Sequence, residues 1–281
     1  MTIALALGAA LMYGLSDFLG GLLSRRISAW AVAVVAQMAS TVLTVMAALF
    51  IRGEPTVADW AWGALAGIGG GLGTGFLYRG LSSGRMGVVA PLSAVGAAVL
   101  PVVVGLVTGE RPALLTWIGI GCALPAIWLV STAADPVDVS GRPHGMAEGV
   151  TDGLLAGLGF GLLFSTLGQV PDTAGLGPLA MAQATSVAAV IALATVLRQD
   201  WLPRDRHSRW AIIVGALAAG AALLFLLATR TGLLTVASVL TSLYPAFTVL
   251  LAATLLRERI QAAQGAGLVL AAAAVVLVGA G

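Results

Sequence analysis

The stretch GALAGIGGGLGTGFLYRG, residues 63–80, decides the fold, because clustered glycines mean different things in a soluble loop and in a membrane helix. Gly63, Gly67, Gly71 and Gly75 recur every four residues, which places them along one slowly rotating helix face. In lipid, such small faces let helix backbones approach closely. A phosphate-binding loop would follow a soluble strand and bring a Lys or Ser/Thr partner, and neither is present. The stretch therefore predicts a packing face inside a membrane helix.

The composition of the whole chain indicates an integral membrane protein. Of 281 residues, 59% are hydrophobic and only 9% are charged, with a mean hydropathy of +1.02. A soluble domain carries about 25% charged residues. All 14 basic residues are arginines in short connecting segments, so they bear on membrane orientation and do not indicate nucleic-acid binding. The lone Cys122 allows no intrachain disulfide and is interpreted as a buried packing residue.

Ten segments are long and apolar enough to cross a bilayer, which needs about 20 residues. We predict an all-α integral membrane protein in which residues 1–133 and 149–281 each hold five transmembrane helices and residues 134–148 form a linker. The first span, which lacks a basic leader region, is predicted to stay uncleaved. The predicted spans are residues 3–23, 29–51, 60–81, 86–108, 114–133, 149–170, 175–197, 209–229, 232–256 and 262–279.

The two halves resemble each other in the order of their Gln, Trp, Gly and Glu-Arg residues. Glu110 ends the fourth span and Glu258 ends the ninth, and 258 − 110 = 148. At the same offset Trp62 meets Trp210, and Gly119 meets Gly267. Earlier in each half the offset falls slightly, so that Gln37 meets Gln183 and Tyr13 meets Phe160. Because five is odd, the second half begins on the opposite membrane face, which predicts an inverted-topology repeat as found in secondary transporters.

The arginines predict an orientation for this bundle. The side that holds both termini carries Arg52, Arg111 and Arg230, and the other side carries the remaining eleven. The positive-inside rule then places both termini outside the cell.

Asp17, in YGLSDFLGG, is the one clearly interior acid that the spans contain by this reading. An aspartate at the middle of a membrane helix costs about 2.5–3.5 kcal/mol, so it faces protein or water. Asp17 is therefore the candidate for proton coupling or cation binding. The alternative is a structural aspartate that is tied to Tyr13, to a neighbouring helix, or to Arg25 and Arg26 at the interface.

Further polar and aromatic side chains within the spans are candidates for contacts with a substrate. Interhelical hydrogen bonding is the commoner role of intramembrane glutamines, and core packing is the alternative for the aromatic rings. Pro91, Pro101 and Pro245 are predicted to interrupt the fourth and ninth spans, and interrupted helices mark binding sites in transporters. The candidate substrate-binding residues are Tyr13, Gln37, Ser93, Gln183, Thr241, Ser242 and Tyr244, and Phe160 extends the aromatic set.

Several classes of function lack the residues that they need. His144 and His207 lie in connecting segments, and no His/Cys/Asp/Glu set has the spacing of a metal site. No nucleophile–base arrangement and no Walker A motif is present. We therefore predict no catalytic residues, no enzyme activity, no metal and no cofactor.

Two segments resemble the EamA-type members of the drug/metabolite transporter superfamily. They are PLSAVGAAVLPVVVGLVTGERPALLTWIGIGCAL, residues 91–124, and LYPAFTVLLAATLLRERIQAAQGAGLVL, residues 243–270, together with the aromatic-Gly pair Tyr13-Gly14. The resemblance implies a ten-helix bundle with a central cavity, lined chiefly by helices three, four, eight and nine, with one and six nearby. It also implies a secondary transporter, often an exporter, with both termini in the cytoplasm, which is opposite to the arginine count.

The sequence thus predicts a multi-pass protein of the inner (plasma) membrane that moves small amphipathic metabolites, such as amino acids or drugs, by alternating access. Export and proton coupling through Asp17 are part of this hypothesis, and the expected partners are the lipid bilayer, a small-molecule substrate and protons. A passive channel or facilitator with a structural Asp17 is the first alternative. An intramembrane enzyme or a scaffold is the second.

Overall fold

A computed structural model gives the structure of residues 1–82, 86–131, 146–255, 257 and 260–281. Throughout these residues the regular structure is helical. The predicted linker, residues 134–148, lies mostly outside this part, as do Glu258 and Arg259. The long helices are α1 (Thr2–Ser24), α2 (Ala29–Phe50), α3 (Val57–Ser82), α4 (Met86–Val107), α5 (Leu114–Ser131), α6 (Met146–Leu167), α7 (Gly177–Val196), α8 (Ala211–Thr231), α9 (Leu234–Thr241), α10 (Tyr244–Leu255) and α11 (Ala262–Ala280).

Nine helical stretches in the described part of the chain have the length and hydropathy of membrane spans, with α9 and α10 together counted as one. The predicted third span is the exception, although α3 is a continuous helix of 26 residues. Its glycines add no apolar side chain, and this lowers its mean hydropathy. The composition of α3 serves contact with other helices, as the glycine pattern predicted.

The glycines of α3 lie against the second half of the chain. A Cβ atom on Gly63 would collide with the backbone of Pro178, one on Gly67 with Ala182, and one on Gly71 would lie 2.6 Å from the Ser186 carbonyl oxygen. All three partners belong to α7. The prediction of a small packing face is confirmed, because these backbones approach to distances that no larger residue allows.

The ninth predicted span is broken in two, whereas the fourth is continuous. Pro245 has no N–H to donate and its ring crowds the preceding turn, so α9 ends at Thr241 and α10 starts at Tyr244. Pro91 and Pro101 both lie inside α4, which continues through them. The prediction that prolines interrupt both helices is therefore wrong for α4, since membrane helices tolerate proline where neighbouring groups satisfy the freed carbonyls.

The contacts between helices are preserved when the two halves are exchanged. α3 packs on α6 and α7, and α8 packs on α1 and α2. α4 packs on α6, and α9 and α10 pack on α1, while α2 meets α7 and α5 meets α11. This correspondence extends to single residues. Gly119 lies against Ala274 and Val278, and Gly267 lies against Ala126 and Val130. The differences 267 − 119, 274 − 126 and 278 − 130 are each 148.

The Gly-Glu-Arg turn after α4 joins the halves. Glu110 accepts hydrogen bonds from the backbone N–H groups of Leu234 (2.5 Å) and Thr235 (3.0 Å), which begin α9. A carboxylate at a helix N-terminus satisfies unpaired donors and interacts favourably with the helix dipole. This turn, which belongs to the segment 91–124 that carries the family resemblance, is thus a cap that ties α4 to the second half.

Candidate functional site

A central cavity lies between the two halves of the bundle. About 750 Å³ there is free of protein atoms, and this volume includes space that is open to the surroundings. Helices α1, α2 and α3 of the first half face α6, α7 and α8 of the second, and α10 contributes Tyr244. The resemblance implied a lining from helices three, four, eight and nine. Helix α4 is absent from the described lining, and α2 and α7 are part of it.

Equivalent positions of the two halves meet across this cavity. Offsets of 146–148 residues relate seven pairs of its lining residues, although α1 and α6 contribute side chains of different chemistry. These pairs are Tyr13 and Phe160, Ser16 and Leu163, Asp17 and Phe164, Ala36 and Ala182, Gln37 and Gln183, Gly70 and Ala218, and Thr74 and Ala222. The cavity therefore lies where the duplicated elements face each other.

Asp17 is the only charged side chain among the described residues that line the cavity. It lies one turn after Tyr13 in α1, and its carboxylate makes no hydrogen bond or ion pair with any described residue. Tyr13, Tyr78 and Tyr244 lie near enough to interact electrostatically with it. An acid with this placement can bind a proton or a cationic group that enters the cavity.

The two glutamines of the repeat differ in their hydrogen bonds. The Gln37 side-chain N–H group donates to the Ser186 hydroxyl (2.6 Å) and to that of Thr74 (3.4 Å). Gln183 makes no side-chain hydrogen bond to a described residue, and Ser40, the counterpart of Ser186, is buried without a described partner. Gln37 thus forms hydrogen bonds between helices, which is the commoner role of intramembrane glutamines. The amide of Gln183 is available to the cavity.

Aromatic rings make up much of the rest of the wall. The rings of Tyr13 and Phe164 have centroids 5.9 Å apart, and Phe160, Tyr78 and Tyr244 complete the set. The three aromatic residues singled out from the sequence, Tyr13, Phe160 and Tyr244, all line the cavity. The wall can therefore accommodate an apolar or aromatic body.

Three of the candidate substrate contacts are buried and do not belong to the described cavity lining. Ser93, Thr241 and Ser242 have no exposed surface. The Ser93 hydroxyl is 3.4 Å from that of Tyr244, and Thr241 donates to the Ala6 carbonyl (3.4 Å). None of the three is in the described lining, and Ser93 is linked to it through Tyr244.

Four polar lining residues were not among the sequence candidates: Ser16, Thr74, Tyr78 and Ser186. Ser16 adjoins Asp17, and its hydroxyl donates to the Val214 carbonyl (3.0 Å). Thr74 and Tyr78 lie four residues apart on α3, so their shared helical face was a usable signal. The sequence prediction did not include this face, because glycines dominate the composition of that helix.

A second interior acid corrects the prediction that Asp17 is the only one. Asp152, near the start of α6, is 3% exposed and forms an ion pair with Arg79 of α3. The Arg79 Nε–H group donates to Asp152 Oδ1 at 3.0 Å, and its guanidinium lies 4.9 Å from the Phe76 ring. The pair joins the two halves beside Tyr78. A third buried acid, Asp59, accepts a hydrogen bond from the Thr56 N–H group (2.8 Å) where α3 begins.

Comparison with known proteins gives a family and a fold. The sequence model of the "EamA-like transporter family" matches residues 1–132 and again residues 149–280. No curated protein matches the chain. One crystal structure of another protein superposes on 98% of this chain and 95% of its own, with a TM-score of 0.71 and 15% sequence identity. That likeness establishes a shared fold.

Proposed function

The chain belongs to the EamA-like transporter family, and from this premise we propose that it is a secondary transporter that exports small amphipathic molecules across the plasma membrane. The observation that carries the proposal is the central cavity, which equivalent positions of the two halves enclose. A binding site between repeats is the arrangement from which secondary transporters achieve alternating access. In this proposal the two repeats have inverted topology. Helix α3 also crosses the membrane, which brings the number of spans to ten.

Asp17 is the proposed coupling residue. It is the one charged group in the described lining, and none of the described residues forms a hydrogen bond or ion pair with it that would hold it in a single protonation state. Proton binding and release at this carboxylate would then accompany the movement of substrate. Tyr13, Gln183 and Tyr244 are the proposed substrate contacts, since their side chains line the cavity, whereas Gln37 holds α2 against α3 and α7.

Exchange in proteoliposomes tests transport. Purified protein is reconstituted with unlabelled amino acids, nucleosides or amphipathic amines inside, and the uptake of the labelled compound is measured. A transporter gives saturable uptake that the internal compound accelerates, because the loaded carrier returns. Uptake that neither saturates nor responds to the internal compound would support a channel instead.

A pH-sensitive dye inside the same vesicles tests coupling. We expect wild-type protein to move protons with its substrate, and Asp17→Asn to reduce this proton flux at least tenfold. Asp200→Asn is the control, since Asp200 lies in the exposed α7–α8 loop, where it pairs with Arg204. Equal substrate movement in wild type and Asp17→Asn, with no proton signal in either, would make Asp17 structural.

A further inference from the structure

The described wall of the cavity carries a single charged side chain, and its charge is negative. Asp17 is an acid, and the described lining contains no arginine, lysine or histidine. A ligand that carries a carboxylate or a phosphate would meet no cationic side chain there, and its negative charge would repel Asp17. A ligand that carries one positive charge would meet a counter-charge.

Most other polar groups of the wall are already committed to protein partners. The Ser16 hydroxyl donates to the Val214 carbonyl, and the Gln37 amide donates to Ser186 and Thr74. Asp17, Gln183 and the Tyr13 hydroxyl make no hydrogen bond to a described residue. The cavity therefore offers one ionic contact, one amide contact and one hydroxyl contact.

The rings around Asp17 suit the same kind of ligand. Tyr13, Tyr78 and Tyr244 lie near enough to interact electrostatically with Asp17, and Phe160 and Phe164 line the same cavity. A cation is attracted to the face of an aromatic ring, and the apolar part of a ligand gains by burial against such rings. A buried carboxylate and a buried ammonium offset each other's loss of hydration only when they are paired.

We propose that the cavity recognises a monovalent organic cation, an amine with an aromatic or aliphatic body whose ammonium group pairs with Asp17. The inference rests on the proposed transport function and narrows its substrate class. It predicts that zwitterionic amino acids are not the best substrates. Their carboxylate would share the cavity with the Asp17 carboxylate and would find no cationic partner in the described lining. The Gln183 amide, which lines the same cavity, would accept from the ammonium group or donate to a polar group of the body.

Four probes with the same phenyl ring and different head groups test the inference on the full chain. They are 2-phenylethylamine, phenylalanine, 3-phenylpropionate and 2-phenylethanol, which at pH 7.5 are a cation, a zwitterion, an anion and a neutral molecule. Calorimetric titration of the purified protein measures each Kd. We expect the amine to bind at least tenfold more tightly than each of the other three.

Variants of Asp17 test whether its charge causes the preference for the amine over the other probes. Asp17→Asn should weaken amine binding at least tenfold and leave the Kd of 2-phenylethanol unchanged, and Asp17→Glu should retain most of the preference. Asp200→Asn removes an exposed loop carboxylate and should change neither value. If Asp17→Asn does not fold, the probe series on wild type still decides the question.

Exchange assays with the same probes separate this inference from the transport proposal. Equal or tighter binding and exchange of phenylalanine, 3-phenylpropionate or 2-phenylethanol would overturn the cation inference and leave transport standing. Absence of both binding and exchange for all four probes would count against both.

Discussion

At several paired positions of the central cavity the first half of the chain contributes a polar side chain where the second half contributes an apolar one. Asp17 corresponds to Phe164, Ser16 to Leu163, and Thr74 to Ala222. Away from the cavity the two halves agree closely, as the matching contacts of Gly119 and Gly267 show. The duplication thus supplies the frame of helix contacts, and divergence at the positions that face the cavity supplies its chemistry.

Substitution of equivalent packing glycines should destabilise the protein to a similar extent in both halves. This is the largest effect on stability that we expect. Gly67 lies against Ala182, and its counterpart Gly215 lies against Ala36. Gly67→Val and Gly215→Val should each lower the free energy of unfolding by about 3 kcal/mol, because the added side chain meets backbone that cannot move aside. Thermal unfolding in detergent measures this.

The control for these variants is Gly121→Ala, since a Cβ atom there meets nothing within 4 Å. It should leave unfolding unchanged. A large loss for Gly67→Val with none for Gly215→Val would break the equivalence of the two packing faces.

The ion pair between Arg79 and Asp152 is a second place where the halves diverge, because the equivalent positions hold Leu227 and Leu5. Asp152→Asn should cost about 2 kcal/mol, less than a fully buried pair, since the Arg79 side chain is 35% exposed and partly hydrated. The double variant Arg79→Leu/Asp152→Leu copies the other half and should regain most of this loss.

A double-mutant cycle on unfolding measures the coupling between the two residues. Additive losses for the single leucine variants, with no recovery in the double variant, would show that the pair has no role in joining α3 to α6.

Substitution of the two equivalent glutamines, Gln37 and Gln183, should have smaller effects on stability that differ between the halves. Gln37→Leu removes the 2.6 Å hydrogen bond to Ser186 and should destabilise the protein by about 1 kcal/mol. Gln183→Leu should leave stability unchanged and raise the KM of exchange several-fold, because its amide has no described protein partner. If only Gln37→Leu raised the KM, the substrate would contact Gln37 of the first half and not Gln183 of the second.

The sequence predicted the helical bundle well because its signals are local. The spacing of Gly63, Gly67 and Gly71 reports close packing whatever the partner is, and Pro245 breaks the helix that contains it. Nine of the predicted spans have the expected hydropathy in the described part of the chain, and α3 is helical. The continuity of α4 was missed, because the effect of a proline in lipid depends on its neighbours.

The candidate site was harder to predict because a cavity depends on which faces of distant helices meet. Tyr13 and Asp17 share a helical face and line the cavity together. Ser93 and Thr241 are polar residues in similar spans, yet they turn into the packed interior. Asp152 was missed as an interior acid because its partner Arg79 lies 73 residues earlier in the chain.

Access to the cavity from each side of the membrane is the measurement that tests the account most directly. Thr74→Cys and its counterpart Ala222→Cys, each in a Cys122→Ser background, place one thiol in each half of the lining. A membrane-impermeant thiol reagent is applied to right-side-out and to inverted vesicles. Val269→Cys, on a 70% exposed position of α11, is the lipid-facing control.

The account predicts that both cavity cysteines react from either side, that a bound substrate slows both reactions, and that the lipid-facing cysteine reacts from neither. Reaction from one side alone, with or without substrate, would contradict alternating access between the two halves.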